Sequence, residues 1–350
     1  MLTNYPQQPA RRSLRRALAA VALLCIPQAF AQDAKALNEE GKAALASGDL
    51  QIALAKFRNA AQLTPQNPQI QFNIGLATLR LGRPKQALPA LRLALADPTL
   101  APEAHYLLGA AYFESGDYSE VATQLNDLRD SSHAEHVLFL LEESYRLTGK
   151  VSEAQQTFHQ LNSRFSDSPW VHYLMGAVFE SQADHEKAIA EYQAALAKNP
   201  KLPNANFAIG YIYWQDKAFE KAKPWLNQEL SVQPCHALAC YYLAETARTN
   251  RDLAAAAALY RRSIACEDRN AKTHLGLGIA LTALHRNDEA VAEFRRAIDL
   301  DPADAAAHYR LALLYRTLGR KADADAEYER VKKIHAHGQT EAVEGLKTKP

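Results

Sequence analysis

The sequence repeats a pattern with a period of about 34 residues, and this period is the strongest constraint on its fold. Residues 52–65 read IALAKFRNAAQLTP, residues 187–200 read KAIAEYQAALAKNP and residues 289–302 read EAVAEFRRAIDLDP. In each stretch an Ala is followed four residues later by an aromatic residue, and the stretch ends in Pro. The first two starts are separated by four periods less one residue, and the last two by three whole periods. Such a period predicts an array of stacked repeats.

Nine repeats share one frame when the final Pro is placed at position 32 of each repeat. Seven of the eight steps between repeats have the full period, and the step from the third to the fourth is one residue shorter. Position 8 is Gly in six repeats, Ala in two and Glu142 in one, whereas position 20 is Ala in all but one. Position 24 is always aromatic or Leu. The repeats start at Ala34, Pro68, Pro102, Glu135, Pro169, Pro203, Ala237, Ala271 and Ala305.

This pattern predicts a pair of antiparallel helices in each repeat. Positions 4, 7, 8 and 11 fall on one face of a first helix, and positions 20, 24 and 27 fall on one face of a second. Small residues at positions 8 and 20 let the two helices approach closely, and the bulky residue at position 24 fills the adjoining space. Position 15 is Gly in five repeats, which suits a left-handed residue ending the first helix. The Pro at position 32 stops the second helix.

In this unit length and small–aromatic–Pro pattern the chain resembles the tetratricopeptide repeat family. The resemblance covers residues 34–338 and implies an all-α, right-handed superhelical solenoid of about nine helix-turn-helix repeats. Residues 32–338 then form the solenoid, and residues 339–350 form a tail that either caps the last repeat or is disordered. The fold serves many different partners, so the resemblance is far less specific for function.

Two departures from the pattern carry their own expectations. The short third step, Glu142 and a Pro-free connection over residues 128–136 predict an irregular or bent stack between repeats 3 and 4. Pro89 and Pro224 stand at position 22, inside second helices. We expect both prolines near the first helical turn, where Pro is tolerated.

Residues 1–31 have the features of a cleavable signal peptide. Four Arg precede a short apolar run over residues 17–26, and the small-x-small sequence at residues 29–31 predicts cleavage after Ala31. The alternative is an uncleaved apolar helix, although about ten residues are too few to span a bilayer, which needs ~20. We expect an exported protein, periplasmic and without stable membrane insertion after cleavage, by either the general or the twin-arginine route.

The charge gives no reason to expect nucleic-acid binding. The whole chain carries +1, and loss of residues 1–31 leaves 36 Lys and Arg against 39 Asp and Glu. Mixed charges along the first helices favour a protein or peptide partner over a nucleic acid.

Aromatic residues on the first helices are the candidate partner-binding residues. In the family, first helices line the concave groove, and seven of the nine residues at position 5 are aromatic here. Repeats 5 and 6 add two Trp and a Tyr, which are typical of binding hot spots. For the position-5 rings as a set, packing between helices is the favoured alternative; for the rings of repeats 5 and 6, binding is favoured. The candidates are Trp170, Tyr173, Phe207, Tyr211 and Trp214, with Tyr241, Phe139 and Tyr106.

Three Cys follow the predicted signal peptide, and two of them are candidates for a disulfide. Because the helices of a pair are antiparallel, Cys266 at the end of one helix would lie beside the start of the other. Cys235 is the favoured partner and Cys240 the less favoured one. Three reduced cysteines remain the alternative, since pairing cannot be read from sequence.

No motif for catalysis, metal binding or a cofactor stands in a suitable context. The Lys and Asn set with which the family clamps C-terminal carboxylates is interrupted by Glu103 and Leu107 in repeat 3. Four His occupy position 4 of repeats 3, 5, 8 and 9, where half-buried packing is expected. Gly276 and Gly278 resemble a nucleotide-binding loop, but no strand precedes them. We therefore expect a non-enzymatic interaction scaffold without cofactor or metal. The alternative is an accessory module of an envelope or polysaccharide system that binds glycan.

Overall fold

The computed structural model describes residues 32–347, and the side chains of residues 32–336. Every regular element in these residues is a helix, and the helices follow one another in pairs. The chain divides into two compact units, Met1–Val171 and His172–Pro350, here called the N-terminal and C-terminal units. The predicted signal peptide lies outside the described residues. No helix in the described part of the chain is both long and apolar enough to cross a membrane.

The helices match the nine predicted repeats, with each odd-numbered helix a first helix and each even-numbered helix a second. The N-terminal unit contains α1 (32–47), α2 (Leu50–Leu63), α3 (Pro68–Arg80), α4 (Pro84–Ala94), α5 (Ala101–Glu114), α6 (Tyr118–Leu125), α7 (Ala134–Leu147) and α8 (Val151–Arg164). Helix α9 (Pro169–Ser181) begins in this unit and continues into the next. The C-terminal unit adds α10 (His185–Lys198), α11 (Ala205–Gln215), α12 (Phe219–Val232), α13 (Ala237–Thr249), α14 (Leu253–Cys266), α15 (Ala271–Ala283), α16 (Asn287–Leu300), α17 (Ala305–Thr317) and α18 (Lys321–Lys347).

Close contact at position 8 holds the two helices of a repeat together, as predicted. A Cβ atom added to Gly109 would lie 2.4 Å from carbons of Leu125, the position-24 residue of the same repeat. At Gly278 it would lie 2.6 Å from the ring of Phe294. Both position-24 side chains are fully buried. Because Gly at position 8 has no side chain, the large residue at position 24 can fill the space beside it.

A left-handed residue at position 15 makes the turn between the two helices in all nine repeats. Five are the predicted Gly, with φ from 68° to 87°. The other four are Ala183, Lys217, Arg251 and His285, with φ from 58° to 64°. These four residues adopt a conformation that normally favours Gly.

Repeats 3 and 4 are irregular. Helix α6 has only eight residues and continues as a 3-10 helix, Asn126–Leu128, where other second helices have 11 or more. In repeat 4 the larger Glu142 occupies position 8 and is itself buried. The position-24 ring, Phe158, is only half-buried, while its neighbour Thr157 is 1% exposed. The irregularity thus lies in a shortened helix and in a changed packing face of α8.

Two sequence expectations concern helix ends. Pro89 and Pro224 are each the sixth residue of their helices, beyond the first turn, so the prediction of first-turn positions is wrong. Each helix accordingly lacks one internal N–H donor at that point. At the C-terminus, α18 runs without interruption to Lys347, so residues 339–347 of the predicted capping or disordered tail are helical.

Candidate functional site

The structure divides the predicted binding residues between the two compact units. Tyr106, Phe139 and Trp170 belong to the N-terminal unit, and the other five belong to the C-terminal unit. Within each unit, rings from first helices of successive repeats contact one another. We define the N-terminal aromatic surface as Tyr106, His133, His136, Phe139 and Trp170, and the C-terminal aromatic surface as Phe207, Tyr211, Trp214 and Tyr242.

The N-terminal aromatic surface is a continuous run of rings from repeats 3, 4 and 5. Tyr106 stacks on His133 with a centroid distance of 4.0 Å and an interplanar angle of 5°. His136 stacks on Trp170 at 4.9 Å, and Phe139 stacks on Trp170 at 4.2 Å. Phe139 is 6% exposed, whereas Tyr106 and Trp170 are half-buried, so rings of this run contact water.

Hydrogen bonds fix the orientation of these rings. The Tyr106 hydroxyl lies 2.8 Å from Nδ1 of His136. The carboxylate of Glu103 lies 2.8 Å from Nε2 of His133. Burial, together with His133, lowers the pKa of His136 to about 4, so its imidazole is neutral near pH 7. The Nδ1 atom of a neutral His136 can accept a hydrogen bond from the Tyr106 hydroxyl.

Ser168 positions Trp170 at the start of α9. Its Oγ accepts a hydrogen bond from the Trp170 backbone N–H at 3.1 Å and donates one to Glu135 at 2.6 Å. Ser168 is 5% exposed. A buried helix cap therefore connects Trp170 to the first helix of the preceding repeat.

The C-terminal aromatic surface is centred on Tyr242 of α13. Its ring lies 5.0 Å from Tyr211, 4.7 Å from Trp214 and 6.1 Å from Phe207. All four residues are half-buried. Burial and the neighbouring Tyr211 raise the pKa of Tyr242, so its hydroxyl stays protonated at physiological pH. The indole N–H of Trp214 is buried and has no acceptor within the described chain.

A fully buried carboxylate, Glu229, sets the position of Phe207. It accepts hydrogen bonds from the backbone N–H groups of Asn204 at 2.9 Å and Phe207 at 3.2 Å, at the start of α11. Gln233 donates a third hydrogen bond to it at 2.7 Å. His236 lies 4.6 Å from the Phe207 ring and 3.1 Å from the Asn204 side-chain oxygen. The Glu229 carboxylate thus holds the backbone of Phe207, and the His236 imidazole contacts its ring.

Tyr173 and Tyr241 face the second helices of their own repeats. The ring of Tyr173 lies 5.4 Å from Tyr192, and the ring of Tyr241 lies 6.1 Å from Tyr260. Tyr192 and Tyr260 are the buried position-24 residues. Tyr173 and Tyr241 thus pack between helices, the alternative role considered above for the aromatic residues at position 5. Tyr241 also contacts Tyr242, with ring centroids 5.1 Å apart.

Several members of the two surfaces were not among the sequence candidates. Tyr242 stands at position 6, off the face used for prediction, and no feature of the sequence alone distinguishes it. His133 and His136 lie at or just before the start of α7, as His236, which contacts Phe207, lies just before α13. Their contacts depend on how neighbouring repeats stack, which the period does not specify.

A repeated His–acid pair was also missed, and the sequence did contain its signal. Nδ1 of His172, His274 and His308 lies 2.7, 2.6 and 2.6 Å from Glu191, Glu293 and Glu327, each 19 residues later. His105 is paired with Gln124 at the same spacing. Every repeat with His at position 4 has Glu or Gln at position 23, and no other repeat does. The four His therefore bridge the helices within their repeats.

The structure joins Cys235 and Cys266 in a disulfide with Cα atoms 5.3 Å apart. The bond ties Cys235, two residues before the start of α13, to the last residue of α14. Cys240 is a free, buried thiol, and burial raises its pKa.

Within the described residues, no group of three or more His, Cys, Asp or Glu side chains is arranged to hold a metal ion. Gly276 and Gly278 lie within α15, where they face the rings of Tyr260 and Phe294. Their role is close helix packing, because the rings fill the space that a bound phosphate would need.

Comparisons with known proteins agree with the repeat architecture. Models described as TPR repeat match residues 181–217 and 280–319. Models described as tetratricopeptide repeat match residues 38–102 and 72–131, and residues 203–234 and 305–335. Together these matches cover more than half of the chain.

Two curated relatives match parts of the chain. Over 85 residues, 23% of this chain, it is 29% identical to photosystem I assembly protein Ycf3 of Rippkaea orientalis (strain PCC 8801 / RF-1). Over 112 residues, 31% of this chain, it is 26% identical to human superkiller complex protein 3. The aligned segments span 49% and 7% of those two proteins.

Among solved structures, a chain of the APC/C hetero-tetramer Cut9-Hcn1 has a similar fold, with a TM-score of 0.59 and 18% identity. The match covers 80% of this chain and 56% of that one.

Proposed function

Since the chain belongs to the tetratricopeptide repeat family, we propose that it is a non-catalytic scaffold that binds a protein or peptide partner. The partner docks on first-helix side chains at the N-terminal and C-terminal aromatic surfaces. Proteins of this family generally bind other proteins. The two aromatic surfaces as binding sites, and the cellular location given below, are our own proposals for this chain.

One observation carries the proposal: half-buried rings from successive first helices contact one another instead of packing only against their own second helices. In the C-terminal unit, Tyr242 links three such rings within 6.1 Å. Preorganised aromatic side chains lose little conformational entropy on binding, and they dominate binding energies at protein interfaces.

We place the scaffold in the periplasm or cell envelope. Residues 1–31 carry the features of a cleavable signal peptide. The disulfide between Cys235 and Cys266 supports the same location, because structural disulfides persist in oxidising compartments. N-terminal sequencing of the exported protein tests this directly: a start at Gln32 supports it, and an intact Met1 contradicts it.

The name of one relative, a photosystem I assembly protein, supports an assembly role as the class of function. By analogy, this chain would hold components of an envelope assembly together. The alignment covers 23% of this chain, so the pathway and the partner of that relative are not carried over.

The test is capture of a crosslinked partner from an envelope extract of the source organism, with the tagged full chain as bait. Two double variants remove rings from the surfaces: Tyr106→Ala with Trp170→Ala, and Tyr211→Ala with Trp214→Ala. The matched control is Phe158→Ala with Trp225→Ala, which removes half-buried rings from second helices. Circular dichroism establishes that each bait is folded.

We expect one partner that the wild-type and control baits capture and that at least one surface variant loses. Equal capture by all four baits would refute the proposed surfaces. Capture of a glycan in place of a protein, lost with the same variants, would support the alternative of an accessory module that presents glycan to an enzyme.

A further inference from the structure

Negative charge is concentrated in repeats 3 and 4, the repeats that form most of the N-terminal aromatic surface. Residues 102–168 contain eleven Asp and Glu against four Lys and Arg. Residues 32–101 and 169–350 together contain 28 acidic and 32 basic residues. The net charge is therefore −7 for residues 102–168 and +4 for the other two ranges together. The negative charge is a local property of this segment.

The first helices that carry the rings share this bias. Helix α5 has Glu103 and Glu114 but no Lys or Arg. Helix α7 has three Glu and one basic residue, Arg146, which forms a salt bridge with Glu143. The only Lys or Arg side chain on these two helices is thus already paired with a carboxylate.

Glu103 lies next to the rings, and Glu114 lies on the same helix as Tyr106, about two turns further along. Glu103 contacts His133, which stacks on Tyr106. The Glu103 side chain is 44% exposed. Burial raises the pKa of Tyr106, and the negative charges of Glu103 and Glu114 raise it further. Glu114 keeps exposed surface, although burial raises the pKa of its carboxylate, and it forms no hydrogen bond or ion pair among the described residues.

We propose that the N-terminal aromatic surface docks a partner segment bearing Lys or Arg side chains. This inference rests on the proposed scaffold function and specifies the chemistry of one partner. A cationic group is attracted to the open face of a Tyr or Trp ring and to a nearby carboxylate, whereas an acidic segment is repelled by both. Glu103, which contacts the His133 ring stacked on Tyr106, provides the carboxylate, and the half-buried rings of Tyr106 and Trp170 provide the aromatic attraction.

The C-terminal aromatic surface has a different electrostatic setting. Residues 172–350 contain 23 acidic and 24 basic residues. Glu245, one helical turn from Tyr242, forms a salt bridge with Arg248 and accepts a hydrogen bond from Tyr260. Preference for a cationic segment is therefore a property of the N-terminal surface alone.

The experiment is selection of a random linear 12-residue peptide library on the folded full chain at about 50 mM salt. It is repeated on Glu103→Gln with Glu114→Gln, and on a control, Glu120→Gln with Glu153→Gln. The control changes net charge equally, but its residues are exposed on the second helices α6 and α8. A third variant, Tyr106→Ala with Trp170→Ala, removes the rings and keeps the charge.

We expect the wild-type chain to enrich peptides of net positive charge. The affinity of a leading peptide, measured by fluorescence anisotropy, should fall about tenfold in the Glu103/Glu114 variant and in the ring variant, and less than about threefold in the control. The inference is overturned by enrichment of neutral or acidic peptides, by no enrichment, or by equal loss in both charge variants.

The outcomes separate this inference from the proposed function. If the native partner is lost from the ring-variant baits but peptides show no preference for positive charge, the scaffold proposal stands and the cationic preference is wrong. If cationic peptides bind through Glu103 and Glu114 but capture of the native partner never depends on the rings, the scaffold proposal fails. A second copy of the chain is the other molecule that this surface could bind, and sedimentation of the wild-type and Glu103/Glu114 chains tests it. Self-association that is lost in the variant would show that a second copy, and not a separate partner segment, occupies the surface.

Discussion

Replacement of Glu142 by Gln should stabilise repeat 4 at alkaline pH and leave it nearly unchanged at pH 5. Glu142 is 7% exposed at the position where other repeats have Gly or Ala, and one of its carboxylate oxygens has no hydrogen-bond partner among the described residues. Burial, and then the neighbouring Glu143, raise the pKa of Glu142 to about 7 from an ordinary value of 4.5, against the opposing effect of Arg146. The folded chain therefore binds this proton more tightly than the unfolded chain.

The magnitude follows from linkage. A folded pKa above the unfolded value means that stability is lost as the pH rises through the interval from 4.5 to about 7. With about 1.4 kcal/mol for each pKa unit, ionised Glu142 costs about 3 kcal/mol at pH 8 and under about 1 kcal/mol at pH 5. The neutral amide of Gln avoids this change, so the stability difference between variant and wild type should shift by about 2.5 kcal/mol across that range.

Hydrogen–deuterium exchange of a peptide within Ala134–Leu147 measures the effect locally. The ratio of wild-type to variant exchange rates at each pH cancels the intrinsic pH dependence of exchange. This ratio should increase by a factor of roughly 70 from pH 5 to pH 8 if the helix exchanges through unfolding of the repeat. A control, Glu153→Gln on the exposed face of α8, should show no such increase. A constant ratio for Glu142→Gln would refute the reasoning.

Three further predictions concern other repeats. Cys266→Ser should lower the free energy of unfolding by about 3–4 kcal/mol, the chain-entropy value for a loop closed over 31 residues. Urea unfolding with and without a dithiol reductant measures this loss. Equal stability of wild type and variant under oxidising conditions would contradict the estimate. Burial opposes protonation of His274, but hydrogen bonds to Glu293 and a backbone carbonyl raise its pKa above the unfolded value. The stabilisation from protonated His274 is therefore fully present below about pH 6.5 and is lost as the pH rises through the pKa of the folded chain. Glu293→Gln should destabilise α15 by about 1 kcal/mol more at pH 5.5 than at pH 9, and an equal loss at both pH values would contradict the pairing. Ala183→Gly should raise stability by roughly 0.5–1 kcal/mol, because Ala183 has φ 58° and Gly adopts this conformation freely; a lower melting temperature would count against that account.

The sequence was sufficient for the contacts within each repeat. Gly109 against Leu125 and the left-handed turn at Gly116 follow from residue types at fixed positions, because such contacts recur with the period. The same regularity could have revealed the His–Glu pairs, since His at position 4 and Glu or Gln at position 23 occur together in the chain.

Contacts between repeats could not be derived in the same way. Tyr242 and His136 depend on the stacking of one repeat on the next, and Glu229 acts through backbone N–H groups that no side-chain pattern reports. The division of the chain at Val171 was also not predicted. It assigns Trp170 and Tyr211, once grouped as one site, to separate units.

The central claim is that partners contact the first-helix rings, and site-specific photocrosslinking in living cells tests it most directly. A photoreactive Phe derivative is placed at Tyr106 or Tyr211 on the two surfaces, or at Phe158 or Trp225 on second helices. The account predicts a partner crosslink from at least one of the first two positions and none from the other two. Crosslinks from Phe158 or Trp225, with none from Tyr106 and Tyr211, would contradict it.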